Sequence, residues 1–525
     1  NQALRLLSDQ LVMGDTINNP IKVSIQQFYG IEINDFAVTV AKTALWIAES
    51  QMLKETEDII SHTIDFLPLK SYVNIVEANA LRIDWETVVP KDRLNYIMGN
   101  PPFVGTKLMN KEQKSDTKHI LGKLKSFGVL DYVSCWYVLA SQYSKDSTIR
   151  CAFVSTNSIC QGEQVTILWK PLIEQGIHIN FAHRTFQWDS EANLKAHVHC
   201  IIIGFSYIDD PKKYIYNGSS ISQVKQINPY LVEAPTVFID KMKTPICNMP
   251  AMYLGCDYKD GDHYILSEAE KDELITAEPS AKSLIRPYMT GRDFINRKPR
   301  YCLWFMDASL SDIKKCPSVM ARIKEVRNFR ENSNSSDTKR YAEYPTRPAR
   351  LRYYSEPRTT DALALPRISS QTRKYVPMEI LKSNIIGGAS ILMIPDATPY
   401  VFGVLTSNIH MAWMRLVCGR MKSDYRYSSG VVYNTFPWPD ATDAQKAKIE
   451  QTAQGILDAR ALYPDSSLAD LYDELTMPPE LRKAHQKNDQ AVLAAYGIKK
   501  GDAAYSSESA CVAELMRRYQ ALTEA

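Results

Sequence analysis

No apolar run in this chain approaches the roughly 20 residues that a helical membrane span needs, and no signal-peptide pattern opens it. Its ten cysteines lie scattered without a Cys-x-x-Cys pair. That spacing argues against both a zinc site and a disulfide framework, so no metal is expected. Free thiols point to a reducing, cytoplasmic compartment. There is no internal repeat and no low-complexity tract. Charge of one sign is also missing overall, with 62 Lys+Arg against 59 Asp+Glu and a net of +3. What remains is the composition of a globular enzyme. At 525 residues the chain is long enough for about three domains.

The charge is unevenly spread. Positions 286 to 374 hold 20 Lys+Arg against 9 Asp+Glu, so the rest of the chain is net negative. A basic stretch amid acidic ones is the expected footprint of phosphate binding. Arg347, Arg350, Arg352, Arg358, Arg367, Arg373 and Lys374 are interleaved there with tyrosines. Arginine can clamp phosphate or read guanine bidentately. The plainer reading is a solvated surface with ordinary ion pairs. A second dense stretch, Arg420 to Ser428, includes Lys422, Tyr425 and Arg426, which suit phosphate contacts. After Pro439 the character changes, with 10 basic against 14 acidic residues. Ile449, Ala453, Ile456 and Leu457 are spaced as a helix face.

The most specific feature is Asn100-Pro101-Pro102-Phe103, which follows the apolar run Tyr96-Ile97-Met98 and Gly99. Neither proline has an N–H, and each has a fixed φ. Asn100 precedes a proline and is pushed out of the helical region. The product is a stiff turn with free carbonyls, one polar side chain and an aromatic ring just beyond. Such a turn can hold a flat molecule with an exocyclic amino group. The Asn100 oxygen and the Pro101 carbonyl accept from the NH₂, and Phe103 stacks on the ring. A given tetrapeptide arises by chance on the order of once in a few hundred chains of this length.

Alternation of strand and helix patterns argues for a mostly parallel, doubly wound α/β sheet. Phe28 to Asn34 reads as a short strand ending in an acid. Phe36, Val40, Ala44, Ile47 and Ala48 then recur at helical steps. Val73 to Glu77 reads as another strand, as do Cys151–Thr156, Ile177–Phe181 and His197–Gly204. In an open α/β sheet, an acid at a strand's carboxyl end takes a ribose hydroxyl. Glu32 fits that role, or alternatively caps the next helix.

Asn100–Phe103 resembles the catalytic motif of the amino-group DNA methyltransferases, in the form favoured by N6-adenine enzymes. Catalytic segments precede a long variable segment, the gamma-type order. Gly30-Ile31-Glu32, Ala44-Leu45-Trp46, Asn79-Ala80-Leu81 and Asn434-Thr435-Phe436-Pro437-Trp438-Pro439 resemble the large single-chain type IIL restriction–modification methyltransferases, and this resemblance covers nearly the whole chain.

The resemblance implies a Rossmann-like class I methyltransferase domain over 1–215. It implies a mixed α/β target recognition domain over 216–439 and a helical C-terminal region over 440–525. S-adenosylmethionine becomes the expected cofactor, with Glu32 and Ile33 at its ribose and the Asn79-Ala80 turn at its adenine. The family's usual residue at Asn79 is Asp. Double-stranded DNA becomes the expected partner. Arg347, Arg350, Arg352, Arg373, Lys374, Lys422, Tyr425 and Arg426 are the candidate contacts. Phe186, then Trp188, are candidates to stack on a flipped adenine.

The family's Gly-rich loop, of the form Asp-Pro-Ala-Cys-Gly-Ser-Gly, is not found. This implies a fragment lacking the first strand and part of the cofactor site, with the missing N-terminal part as a partner and no activity alone. A cytosine-C5 enzyme would need a Pro-Cys dipeptide, which the chain lacks. N4-cytosine chemistry, or a DNA-binding specificity subunit without activity, remain alternatives. Glu112-Gln113-Lys114 is the lone Glu-x-Lys, and no nuclease motif is assigned.

Overall fold

A computed structural model of the protein describes residues 23–60, 74–188, 198–298, 300–349 and 360–524. It divides into two compact units. The first is Asn1–Ser155, Pro171–Asn180 and Ile202–Asp210, and the second holds the remainder.

In the first unit, β1 (Gly30–Glu32) runs parallel to β2 (Ile75–Glu77), with Glu32 opposite Glu77. Helix α1 (Asp35–Ile60) follows β1 directly. The helix forms where its sequence pattern places it, but the apolar face is turned outward. Phe36 is 74% exposed, and Val40 and Ile47 are exposed as well. Exposed rings and aliphatic chains of this size are unusual on one helix face.

A six-stranded sheet has the order β3-β4-β6-β5-β7-β8. Its strands are Tyr96–Gly99, Arg150–Thr156, His178–Trp188, Val198–Ser206, Lys213–Asn217 and Ser220–Val224, numbered β3 to β8 in chain order. The β3–β4 and β5–β7 pairs are parallel, as expected for a doubly wound sheet, and β7–β8 is an antiparallel hairpin. The β3 strand stands at the sheet's edge. No strand pairs with its outer side among the described residues, and Tyr96 and Met98 are exposed on it. With the family's first strand not found, a gap was expected between the strands ending at Glu32 and Asn100, and the β1–β2 pair forms a sheet of its own.

Helices α2 (Lys111–Leu121) and α3 (Ser134–Tyr143) pack together between β3 and β4 in the chain. The core here is aromatic: Tyr137 stacks on Phe205 at 5.2 Å and meets Phe153 edge-on. The buried Tyr137 hydroxyl is satisfied by Ser155 at 2.7 Å, as a buried phenol requires.

The second unit holds two four-stranded sheets, β10-β12-β11-β16 and β15-β13-β17-β9. Strands β9 to β12 are Tyr253–Leu254, Ile265–Leu266, Ile285–Met289 and Arg300–Leu303. Strands β13 and β15 to β17 are Ala362–Pro366, Glu379–Leu381, Ile386–Gly387 and Ile391–Pro395. The chain passes between these sheets at Cys256, bridged to Gly388. A Cβ at Gly255 would fall within 2.4 Å of the carbonyls of Gly387 and Gly388. That close approach requires glycine.

Helix α4 (Pro317–Glu331) carries the fully buried Arg330. Its guanidinium donates to five backbone carbonyls, those of Tyr258, Lys259, Tyr341, Tyr344 and Arg347, at 2.6–3.0 Å. One basic residue of the charge-rich stretch is thus an internal scaffold rather than surface charge.

The tail is helical, as its spacing predicts. Helix α5 (Asp443–Ala461) packs on α6 (Pro479–Ala495) and buries Ile449, Ala453 and Ile456, while Leu457 is half-buried. Its docking is polar as well as apolar. Asn488 donates to the Gly403 carbonyl at 2.7 Å, and Asp489 accepts from the Tyr375 hydroxyl at 2.6 Å. The Asn434–Pro439 phrase lies at this junction, with Phe436 buried and the Pro437 carbonyl accepting from Tyr496 at 2.8 Å.

Arg330→Ala should cost at least about 3 kcal/mol of stability, because several buried carbonyls lose their donor at once. Arg330→Lys should restore little, since one ammonium cannot reproduce the planar fork. Denaturant midpoints read this directly. A lysine variant as stable as the original would contradict the scaffold role.

Candidate functional site

The Asn100–Phe103 turn leaves the carboxyl end of β3. Pro101 is buried, Asn100 is exposed and Phe103 is half-buried. Neither the Asn100 amide nor the Pro101 carbonyl has a hydrogen-bond partner among the described residues. The turn is therefore stiff in its backbone and free at its two acceptors. The loop beyond it is tied down. Tyr132 N–H donates to the Val104 carbonyl at 3.0 Å, and Asp131 accepts from the Thr106 N–H at 3.3 Å.

The anchor of this loop is Asp116, on the inner face of α2. It is 5% exposed and accepts from the Tyr132 hydroxyl at 2.8 Å and the Asn79 amide at 3.1 Å. Arg82 completes the set with an ion pair at 2.5 Å. Burial pushes the Asp116 carboxyl upward. The bonds from Asn79, Tyr132 and Arg82 outweigh it and hold the carboxyl below its usual range. Asp116 thus links the turn after β2 to the segment that braces the Asn-Pro-Pro-Phe loop. The sequence reading missed it. Its signal was an acid beside Thr117, which shares a helix face with Leu121.

Glu32 ends β1 with its carboxylate half-exposed. Oε1 accepts from the N–H groups of Ile33 at 2.9 Å and Asn34 at 3.3 Å. Oε2 has no partner among the described residues. Ile33 is 67% exposed beside it. Asn79 is committed within the chain: its oxygen accepts from the Leu81 N–H at 2.9 Å while its amide serves Asp116. The Ala80 carbonyl accepts from the Trp85 indole at 2.9 Å. Phe186 is half-buried on β5 and meets His183 edge-on at 5.2 Å. The Trp188 side chain lies outside the described residues.

The expected DNA contacts divide. Arg350 and Arg352 lie outside the described residues. Lys374 is exposed. Lys422 is exposed at positive φ in the turn between β18 (Gly419–Met421) and β19 (Asp424–Arg426). Arg426 is half-buried, and Arg347 has its guanidinium over the Tyr344 ring. Arg373 is half-buried, and burial lowers its pKa. Tyr425 is 6% exposed, with the Arg420 guanidinium 4.2 Å from its ring centre.

Comparison with known proteins places the chain. Residues 2–217 match the DNA-methyltransferase domain of MmeI, 233–440 its target recognition domain and 441–525 its C-terminal domain. The solved structure of the type IIL restriction–modification enzyme MmeI in complex with DNA is 42% identical. It superposes at a TM-score of 0.87 over 99% of this chain and 70% of that one. DNA methyltransferase A of Bacillus subtilis (strain 168) is 37% identical over 520 residues, 98% of this chain. The chain spans 58% of that relative's length. The protein belongs to the MmeI family of type IIL restriction–modification methyltransferases.

The Asp116 cluster has a pH signature. Its folded pKa is lowered, so its contribution is full above the ordinary value of 3.8 and is lost as pH falls through the lower folded value. Asp116→Asn should cost about 2 kcal/mol near neutral pH. It should also flatten the stability loss of the parent protein below pH 3.8. Thermal midpoints from pH 5 to 2 measure both, and parallel curves would refute the assignment.

Proposed function

We propose that this protein is a site-specific DNA adenine-N6 methyltransferase of a restriction–modification or phage-defence system. One observation carries the reading. At the carboxyl end of a strand, a proline-stiffened turn holds two acceptors, the Asn100 amide oxygen and the Pro101 carbonyl, without a partner among the described residues. Two acceptors and an adjacent ring are the complement of an exocyclic amino group on a flat base.

In the proposed mechanism the protein grips duplex DNA and takes an adenine out of the stack, at a cost of a few kcal/mol. Asn100 and Pro101 accept from the N6 amino group. Both hydrogens are then held in the base plane, and the positive charge that develops on nitrogen is stabilised by fixed dipoles. Phe103 stacks on the base, and Phe186 is the proposed second ring. Bound S-adenosylmethionine supplies an electrophilic methyl group. Glu32 fits its ribose, because the carboxylate is half-exposed with one oxygen unpartnered among the described residues, while Ile33 and the Asn79-Ala80 turn are the proposed neighbours of the sugar and the adenine. A further strand on the open edge of β3, where Tyr96 and Met98 are exposed, is proposed to complete the site. We assign 1–215 to methyl transfer, 216–439 to target recognition and 440–525 to support of the recognition domain.

Asn100→Ala should lower adenine methylation about 100-fold or more, the cost of losing one preorganised polar group. DNA affinity should stay unchanged. Sequencing of modified adenines in cells expressing the variant reads activity, and near-normal modification would refute the assignment.

Affinity for duplex DNA should also fall steeply and log-linearly with salt, because Lys and Arg side chains displace the counterions condensed on its phosphates. Lys422→Ala should reduce that slope by about 1. A binding curve flat in salt would remove the basic segment from the account.

A further inference from the structure

A cavity of about 410 Å³ is lined wholly by residues of the second unit. Its wall contains three arginines: Arg184 from β5, Arg415 from the helix Asn408–Val417, and Arg420 from β18. Only one has a carboxylate partner. Arg415 forms a two-pronged pair with Glu508, at 2.9 and 2.8 Å. Arg420 donates through one nitrogen to the Ser423 carbonyl at 2.8 Å, and its Nε is buried without a partner. Arg184 makes no hydrogen bond or ion pair among the described residues. Burial lowers its pKa, against the weaker pull of Glu508. Three guanidinium groups against one carboxylate leave the cavity wall two positive charges in excess.

Neutral groups on the same wall are also unsatisfied. Asn157 is 7% exposed, and its amide nitrogen is buried with no partner. The Gln161 side-chain oxygen is in the same state. A side-chain amide has its oxygen and nitrogen assigned by partners, so Gln161 can equally present its N–H₂ to a ligand. Half-buried cations without a carboxylate partner and buried donors without an acceptor are costly. Converging on one polar cavity, they fit an anion with several acceptor oxygens.

We propose that this cavity binds a phosphate group, held by the guanidinium groups of Arg184 and Arg420 and the amide of Asn157. The volume exceeds what a lone phosphate fills, so an attached sugar is accommodated. Two sources share this chemistry: a DNA backbone phosphodiester and a free phosphate-bearing small molecule. The site is independent of the methyl-transfer reading and can fail without it.

The test uses the full chain and Arg184→Gln, with Arg420→Gln as a second variant in case the first fails to fold. Inorganic phosphate replaces chloride at constant ionic strength, and the thermal midpoint is recorded. Duplex DNA affinity is then measured against salt. A midpoint rise with phosphate that the variant loses, while matching the parent in chloride, supports the site. If DNA supplies the group, the variant's log–log salt slope also falls by about 1. If a small molecule supplies it, the slope is unchanged. An equal phosphate response in parent and variant overturns the proposal. So does no response in the parent together with an unchanged DNA slope in the variant.

Discussion

The proposed site depends on keeping one carboxylate charged inside the first unit. Asp116 is nearly inaccessible, and burial alone would favour its neutral form. Arg82 and Asn79, from the turn after β2, and Tyr132, from the segment before α3, reverse that preference. A charge in this position cannot be satisfied by a loose loop, because each lost donor leaves it under-solvated. The geometry of the Asn79 turn and of the Tyr132 segment is thereby fixed together. Through the Tyr132–Val104 bond it reaches the loop that follows Asn100. The stiffness of the Pro-Pro turn matters only because its neighbours are held this way.

The second unit uses buried cations in the same manner. Arg330 is capped entirely by backbone carbonyls. Arg460, on α5, donates to the Met378 carbonyl at 2.6 Å and to the Tyr472 hydroxyl, which in turn meets His485 at 2.9 Å. Burial drives the His485 imidazole well toward its neutral form, so it can accept where a cation would repel Arg460. The Arg460 network ties the helical tail to the Met378 segment before β15. The tail is therefore part of the unit's core rather than an appendage that could be removed without cost.

Legibility from sequence followed locality. The Asn-Pro-Pro-Phe turn, the strand before it and the tail helices were readable because prolines and helical spacing act over a few residues. The direction of α1 was not. Phe36, Val40 and Ile47 mark an apolar face, but what such a face meets depends on neighbours distant in sequence, and here it is exposed. Charge counting also had a limit. Composition cannot separate Arg330, which is buried, from Lys422, which is exposed. Asp116 and the Arg184 cavity were invisible because their partners lie 16 or more positions away.

The central claim is that the free acceptor pair at Asn100 and Pro101 serves an adenine amino group. Digestion of DNA modified by the protein to nucleosides, followed by mass spectrometry, tests it most directly. The account predicts N6-methyladenine as the product. N4-methylcytosine as the methylated product would contradict it.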